Sequence, residues 1–106
     1  MADAFKILYQ GQLPNSATVL ATVGGGKTWI VKHIDIVNTT AADLTWQLFR
    51  NGTTAAFAIT PSGWTVPALG KMEWDGTMSL ATAETIAGVA QAATSVNIVI
   101  CGDEVS

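Results

Sequence analysis

The 106-residue sequence has few of the residues that crosslink a chain or carry chemistry: one cysteine, one histidine and three prolines. A single cysteine, Cys101, excludes an internal disulfide, so the fold depends on packing alone, which suits a reducing compartment. With one histidine, His33, a metal site would have to consist mainly of carboxylates, and the acidic residues stand singly along the chain. We therefore predict no metal and no cofactor.

Charge is also scarce. Only 12% of the residues are charged, against roughly 25% in an average soluble domain. The five basic residues form no stripe that would neutralise phosphates, so we expect no nucleic-acid binding. A neutral surface rich in alanine and threonine puts little like-charge repulsion between copies, which indicates a homo-oligomer.

Long apolar runs are absent too. No stretch approaches the roughly 20 apolar residues that cross a bilayer, so no membrane partner is expected. The opening Met-Ala-Asp-Ala-Phe-Lys does not resemble a secretory signal, and we expect the product to stay in the cytoplasm where it is made. The length fits one domain, residues 1–106.

What the sequence does contain is short runs of β-branched and aromatic residues between Gly, Pro, Asn and Asp clusters, the pattern of an all-β protein. We predict a single antiparallel β-sandwich, jelly-roll-like, with about eight strands. The predicted strands are 5–13, 18–23, 28–38, 44–50, 54–60, 71–74, 85–91 and 95–102.

Three of these predictions depend on particular residues. In the third strand, Ile34 and Ile36 alternate with His33 and Asp35, which predicts one apolar and one polar face. The dipeptide at 51–52, Asn-Gly, predicts a two-residue turn that pairs 44–50 with 54–60. Residues 81–93 also fit a helical stripe, although a threonine at 85 and a glycine at 88 favour a strand.

The segment from Ala21 to Thr28 satisfies the permissive form of a phosphate-binding loop. Such a loop needs a helix directly after its Lys-Thr, so that the helix N-terminus meets the phosphates. A β-branched run with strand periodicity follows instead, which favours a hairpin turn at Gly24–Gly26. A Cys-His nucleophile pair also lacks an evident third, orienting group. We predict that the protein is not an enzyme.

The aromatic residues are the best candidates for contacts. Of the four tryptophans, Trp46 shares a predicted face with two leucines and is assigned to the core, whereas Trp64 lies among loop residues and is the better exposed contact. Large aromatic side chains serve cores and interfaces more often than sugar stacking. The candidate interface or surface contacts are Trp64, Trp29, Trp74, Phe5 and Tyr9.

Four segments carry a resemblance to a known family: Leu8–Gln12, Val23–Lys27, Ile30–Thr39 and Val96–Gly102. Together they resemble the small β-sandwich proteins encoded among the structural genes of tailed bacteriophages. In that family a strand enters a Pro-Ala-Gly-Lys-like turn, followed by an alternating strand ending in Asn-Thr and a β-rich tail. This chain departs from the pattern with Gly24-Gly25 in place of Pro-Ala, and with 103–105, Asp-Glu-Val, after Gly102.

The resemblance implies a virion component assembled in the cytoplasm of a host bacterium. The expected role is a capsid-decorating protein that binds copies of itself and other virion proteins such as the major capsid protein. One alternative is a tail, neck or fibre component that contacts the host surface. Another is a carbohydrate-binding module, for which a host surface glycan would be the partner.

Overall fold

The structure is a computed structural model that describes residues 3–60 and 63–106, with only the backbone at residues 3–5. In these ranges it contains eight strands and one short 3-10 helix, at Ala55–Phe57. No helix in the described residues is long and apolar enough to cross a membrane. The strands are β1 (Asp3–Gln12), β2 (Thr18–Thr22), β3 (Thr28–Asn38), β4 (Leu44–Arg50), β5 (Trp64–Val66), β6 (Lys71–Leu80), β7 (Thr85–Ala90) and β8 (Val96–Val105).

The strands form two antiparallel four-stranded sheets. Sheet A has the order β1-β8-β3-β6 and sheet B the order β2-β7-β4-β5. The first strand pairs with the eighth, the second with the seventh, the third with the sixth and the fourth with the fifth. The chain is therefore one long antiparallel ribbon, rolled so that successive strand pairs fall into alternate sheets. This nested pairing is the predicted jelly-roll-like β-sandwich.

The core lies between the sheets and consists of the inward side chains of both. β3 contributes Ile34 and Ile36, and β8 contributes Ile98 and Ile100, all fully buried. Leu48 on β4 faces them from sheet B and is also fully buried. Burying each such side chain contributes about 1.5–3 kcal/mol, so these alternating apolar positions hold the two sheets together.

A β-bulge at Lys32 changes the phase of β3. Val31 is buried, and strict alternation would turn residues 33 and 35 into the core as well. The register shifts between Val31 and His33 against both neighbouring strands, β6 and β8. The extra residue lets Ile34 follow Val31 as the next buried position, and it moves His33 to the outer face.

A glycine on the neighbouring strand makes this bulge possible. Gly102 on β8 is buried and lies opposite Val31 in the register. A Cβ at this position would overlap the carbonyl oxygen of Ile30, a backbone atom that cannot rotate away. The close approach of the two backbones therefore requires a residue without a side chain.

The turn between β3 and β4 is organised by a buried side chain, that of Asn38. Its amide nitrogen donates to the carbonyl oxygens of Ala42, at 2.7 Å, and of Val66, at 3.2 Å. Its side-chain oxygen accepts from the backbone N–H of Thr40 at 2.9 Å. Asn38 thus closes its own turn and connects the end of β3 to β5 of the other sheet, which compensates the burial of its polar group.

Strands 28–38 and 44–50 are confirmed at the predicted bounds, and the ambiguous segment is a strand, Thr85–Ala90. The predicted pairing of 44–50 with 54–60 is wrong: β4 pairs with Trp64–Val66, and 54–60 makes a single bridge, Phe49 to Ala58. Asn51 adopts a left-handed φ of 58°, but Phe57 folds over Gly52, and the chain enters a 3-10 helix instead of a return strand.

Two other boundaries also differ. The strand at 71–74 does not stop at Asp75-Gly76 but runs on to Leu80, because a bulge absorbs these turn-forming residues within β6. The turn at Gly24–Gly26 is confirmed, with Gly26 at a φ of 72°, but it is not a hairpin. It joins β2 in sheet B to β3 in sheet A.

Replacing Gly102 by alanine tests the close approach at the bulge. We expect Gly102→Ala to lower the free energy of unfolding by about 1–3 kcal/mol, the usual cost of overpacking a closed site. Gly25→Ala is the matched control, because a Cβ there meets no atom within 4 Å. Urea unfolding of both variants gives the comparison, and equal stabilities would contradict a steric role for Gly102.

Candidate functional site

The predicted contact residues occupy different environments. Trp64, at the start of edge strand β5, is 40% exposed, and its ring packs at a tilt against that of Trp46, with centroids 5.7 Å apart. Of the five predicted contact residues, Trp29 is the one whose predicted role is wrong. It is only 7% exposed, belongs to the core, and donates from Nε1 to Oε2 of Glu104 at 3.0 Å. A surface contact through Trp29 is therefore not available in this chain.

Tyr9 and Trp74 lie in equivalent positions on the two edge strands of sheet A, β1 and β6. They lie opposite the buried residues Ile100 and Ile34 in the register, so both face inward from edge strands. Both are half-buried and pack against the core. They close the open sides of the sandwich and leave part of each ring at the surface. The side chain of Phe5 lies outside the described part of the structure.

Titratable side chains meet on the outer face of sheet A, across the pairing of β3 with β6. The register places Asp75 opposite His33 and Glu73 opposite Asp35. Nδ1 of His33 lies 2.5 Å from Oδ1 of Asp75, and Nε2 lies 2.9 Å from Oδ1 of Asp35. The ammonium of Lys71 lies 3.0 Å from Glu73 and 3.7 Å from Asp35. These five residues form the His33 cluster.

The cluster favours a protonated histidine. Only the imidazolium form donates from both ring nitrogens, and each nitrogen faces a carboxylate. The hydrogen bond to Asp75, followed by that to Asp35, raises the pKa of His33 above its ordinary 6.5. The hydrogen bond from His33 lowers the pKa of Asp35 below 3.8. Hydrogen bonding to Glu73 likewise raises the pKa of Lys71.

Three members of the cluster also have the donor atoms of a metal site. One nitrogen of His33 and one carboxylate oxygen each of Asp35 and Glu73 lie within 4.8 Å of one another. In the sequence these acidic residues stand singly, and only the β3–β6 register unites them. The available signal was the i, i+2 spacing in His33-x-Asp35 and Glu73-x-Asp75, which puts each pair on one face of a strand.

The Cys-His pair also has a definite geometry. Cys101 is the β8 neighbour of His33 in the register, on the same outer face. Both nitrogens of His33, however, contact carboxylates, so neither has a lone pair directed at the thiol. His33 is therefore not oriented to take a proton from the thiol as a general base.

The outer face of sheet B has a shallow depression of about 280 Å³. Its lining mixes polar and apolar residues. Thr45, Gln47 and Gln91 lie beside Trp46, Val89 and Ala90, and Gly63, the residue before Trp64, is also part of it. Two of the amides are engaged within the chain: Gln91 accepts from the backbone N–H of Thr45 at 3.1 Å, and Gln47 donates to the carbonyl of Thr60 at 3.2 Å. The remaining amide atoms can bond a polar ligand.

No protein-family model and no curated protein matches the chain. Among solved structures, it is similar to a chain in the structure of infectious bursal disease virus, Gx strain, with a TM-score of 0.43 and 11% sequence identity. The similarity covers 98% of this chain and 32% of that one, so this chain spans about a third of its length. At this level the comparison says nothing of what the chain does.

The His33 cluster predicts a pH-dependent contribution to stability. Because folding raises the pKa of His33, that contribution is complete below the unfolded value of 6.5 and disappears as the pH rises through the folded value. Because folding lowers the pKa of Asp35, its contribution is present above 3.8 and disappears as the pH falls through the folded value. The cluster therefore stabilises the fold most between pH 3.8 and pH 6.5, the unfolded pKa values of Asp35 and His33.

We expect His33→Gln to destabilise the protein more at about pH 5.5 than at about pH 8.5, as linkage requires. Urea unfolding of both proteins at the two pH values measures the difference. Thr39→Ala, at an exposed position near the end of the same strand, is a control that should show no such dependence. A His33→Gln effect that is the same at both pH values would contradict the ion-pair geometry.

Proposed function

We propose that this chain is a non-enzymatic structural protein of a virion, and specifically a capsid-decorating protein of a tailed bacteriophage. It would bind the assembled shell, and copies of itself, through protein-protein contacts. The resemblance of four segments to phage structural proteins supports this proposal. The jelly-roll-like strand order agrees with it but is shared by viral capsid domains, lectins and cupins, so the fold alone does not assign the role.

The observation that carries the proposal is the character of the surface. Only 12% of the residues are charged, and in the part of the chain that the structure describes six large apolar side chains are exposed. Contact with a neighbour would remove this apolar surface from water, at about 25 cal/mol per Å². The exposed side chains are Ile7, Val19, Val37, Phe57, Trp64 and Leu69.

The four sheet edges differ in how well they resist pairing with another chain. In sheet B the edge strands are short, with five residues in β2 and three in β5. In sheet A, β6 carries three charged residues and a bulge, which discourage pairing. β1 has ten residues, a bulge between Ile7 and Tyr9 and the charged Lys6, but it also presents Ile7, 54% exposed, on its outer face. A long edge strand with a strongly exposed apolar side chain favours self-association at β1.

The decoration role is tested on purified particles with and without the protein. We expect particles that lack it to lose one protein component and to release their contents at a lower temperature. Adding the purified chain back should restore both properties. Particles of unchanged composition and stability would contradict a decorating role, and immunogold label confined to the tail would favour a tail, neck or fibre component instead.

A charge at the β1 edge should weaken self-association. We expect Ile7→Lys to shift the purified chain toward monomer in analytical ultracentrifugation, because like charges would meet between copies. The position is solvent-exposed, so the free energy of unfolding should change by no more than about 0.5 kcal/mol. Ala41→Lys, in the exposed turn after β3, is the matched control. If wild type and both variants sediment alike, β1 is not the contact.

A carbohydrate-binding module remains the second candidate, favoured by the depression on sheet B. The depression includes Gly63, the residue before Trp64, and the part of the Trp64 ring that stays exposed could stack on a sugar. In this case a monomer should bind glycans and Trp64→Ala should abolish binding, while the particle tests above give no effect. A glycan array without hits, together with an oligomer in solution, would exclude it.

A further inference from the structure

The His33 cluster combines donor types that a plain group of acidic side chains lacks. One imidazole nitrogen and two carboxylate oxygens, from His33, Asp35 and Glu73, lie within 4.8 Å of one another. Imidazole is a ligand that zinc, copper and nickel prefer, whereas calcium and magnesium prefer oxygen. We propose that His33, Asp35 and Glu73 form a solvent-open binding site for a divalent transition-metal ion such as Zn²⁺.

Asp75 is the partner that orients the histidine in this site. It lies 2.5 Å from Nδ1 of His33, on the side of the ring away from Asp35. Metal-binding histidines commonly donate their second N–H to a carboxylate, which sets the tautomer and the direction of the ring. With Nδ1–H donated to Asp75, the lone pair of Nε2 is directed at Asp35, where the ion would lie.

The net charge of the His33 cluster favours binding of a divalent cation. With His33 protonated, its three carboxylates face two cations, the imidazolium and the ammonium of Lys71. The cluster therefore carries one uncompensated negative charge. A divalent ion that replaces one proton of the imidazolium makes the cluster neutral, because it adds two positive charges and removes one.

Binding is an exchange of the ion for a proton. The ion forms a bond with Nε2 of His33, whose proton leaves to solvent, while Nδ1 keeps its proton and its hydrogen bond to Asp75. The ammonium of Lys71 already contacts both ligand carboxylates, at 3.0 and 3.7 Å, and so marks the position where positive charge is favoured. Its side chain is 57% exposed and can move aside. Water would complete the coordination.

The three ligands connect β3 to the edge strand β6. Asp35 and Glu73 lie opposite one another in the register, and His33 lies two residues before Asp35 on β3. An ion held by both strands binds the folded chain and not the unfolded one, so it must raise the stability of the fold by mass action. A metal ion at this site would stabilise the pairing of edge strand β6 with β3. This inference is independent of the proposed role in a virion.

The experiment is a titration of the tag-free, full-length protein with ZnCl₂, followed by calorimetry and by the NMR signal of its only imidazole. We expect one ion per chain and a shift of the His33 resonance. At a pH below about 6.5, the ordinary pKa of an imidazole, about one proton per ion should be released, measured in two buffers of different ionisation enthalpy. The melting temperature should rise with the Zn²⁺ concentration.

Variants separate this site from other places where zinc could bind. His33→Gln and Glu73→Gln should abolish tight binding, and Asp75→Asn should weaken it roughly 10–100-fold through loss of orientation. Lys71→Ala should strengthen it, since a competing cation is removed. Cys101→Ser is the matched control for the thiol that neighbours His33, and it should bind zinc like wild type.

Several results would overturn the site. An unshifted imidazole resonance in the wild-type protein excludes it even if a variant fails to fold. Equal affinity for Zn²⁺ and Mg²⁺, or unchanged zinc binding in a folded His33→Gln variant, would show a non-selective acidic surface. Loss of binding in Cys101→Ser would place the ion at the thiol.

Discussion

The close contact between β3 and β8 at Gly102 is the constraint on which sheet A depends. These strands lie at the centre of the sheet, and a side chain at this point would meet the backbone of β3. The missing side chain permits the bulge at Lys32, which changes the phase of β3. Both halves of the strand therefore bury apolar residues, Trp29 and Val31 before the bulge, Ile34 and Ile36 after it.

The same change of phase determines the chemistry of the outer face. His33 and Asp35 are directed to solvent only because the bulge precedes them, and the register with β6 then supplies Glu73 and Asp75. Charges on an edge strand discourage pairing with another sheet, so the cluster protects the β6 edge while it holds β6 to β3. The β1 edge has a bulge between Ile7 and Tyr9 but no such charged cluster, so the two edges of sheet A differ in charge.

Aromatic residues close the sandwich where the sheets end. Tyr9, Trp74 and Trp64 face inward from edge strands β1, β6 and β5 and stay partly exposed, because no further strand covers them. Trp29 lies at the start of the central strand β3, and its indole N–H donates to the partly exposed carboxylate of Glu104. That hydrogen bond, and next that from Lys6, lowers the pKa of Glu104. Large rings thus complete the core that a small two-sheet domain forms.

Local sequence determined the class of the fold and most strand positions. Side chains that alternate with a period of two select their own face, so β3, β4 and β7 could be predicted from runs such as 28–38. The same reasoning failed at Asn51-Gly52 and at Asp75-Gly76. In the first case Phe57, close by in the sequence, covers Gly52. In the second case a bulge keeps the residues in β6, and this outcome depends on pairing with β3, which is distant in the chain.

Only the tertiary structure decided which residues share a surface. The sequence indicated that Asp35 and His33 lie on one face of a strand, but not that Glu73 and Asp75 lie opposite them, since any of several strand orders fits the same eight runs. Register is a property of the pairing between strands about forty residues apart in the chain. Composition therefore determined a sparsely charged all-β chain with one histidine, and the pairing of β3 with β6 determined what that histidine contacts.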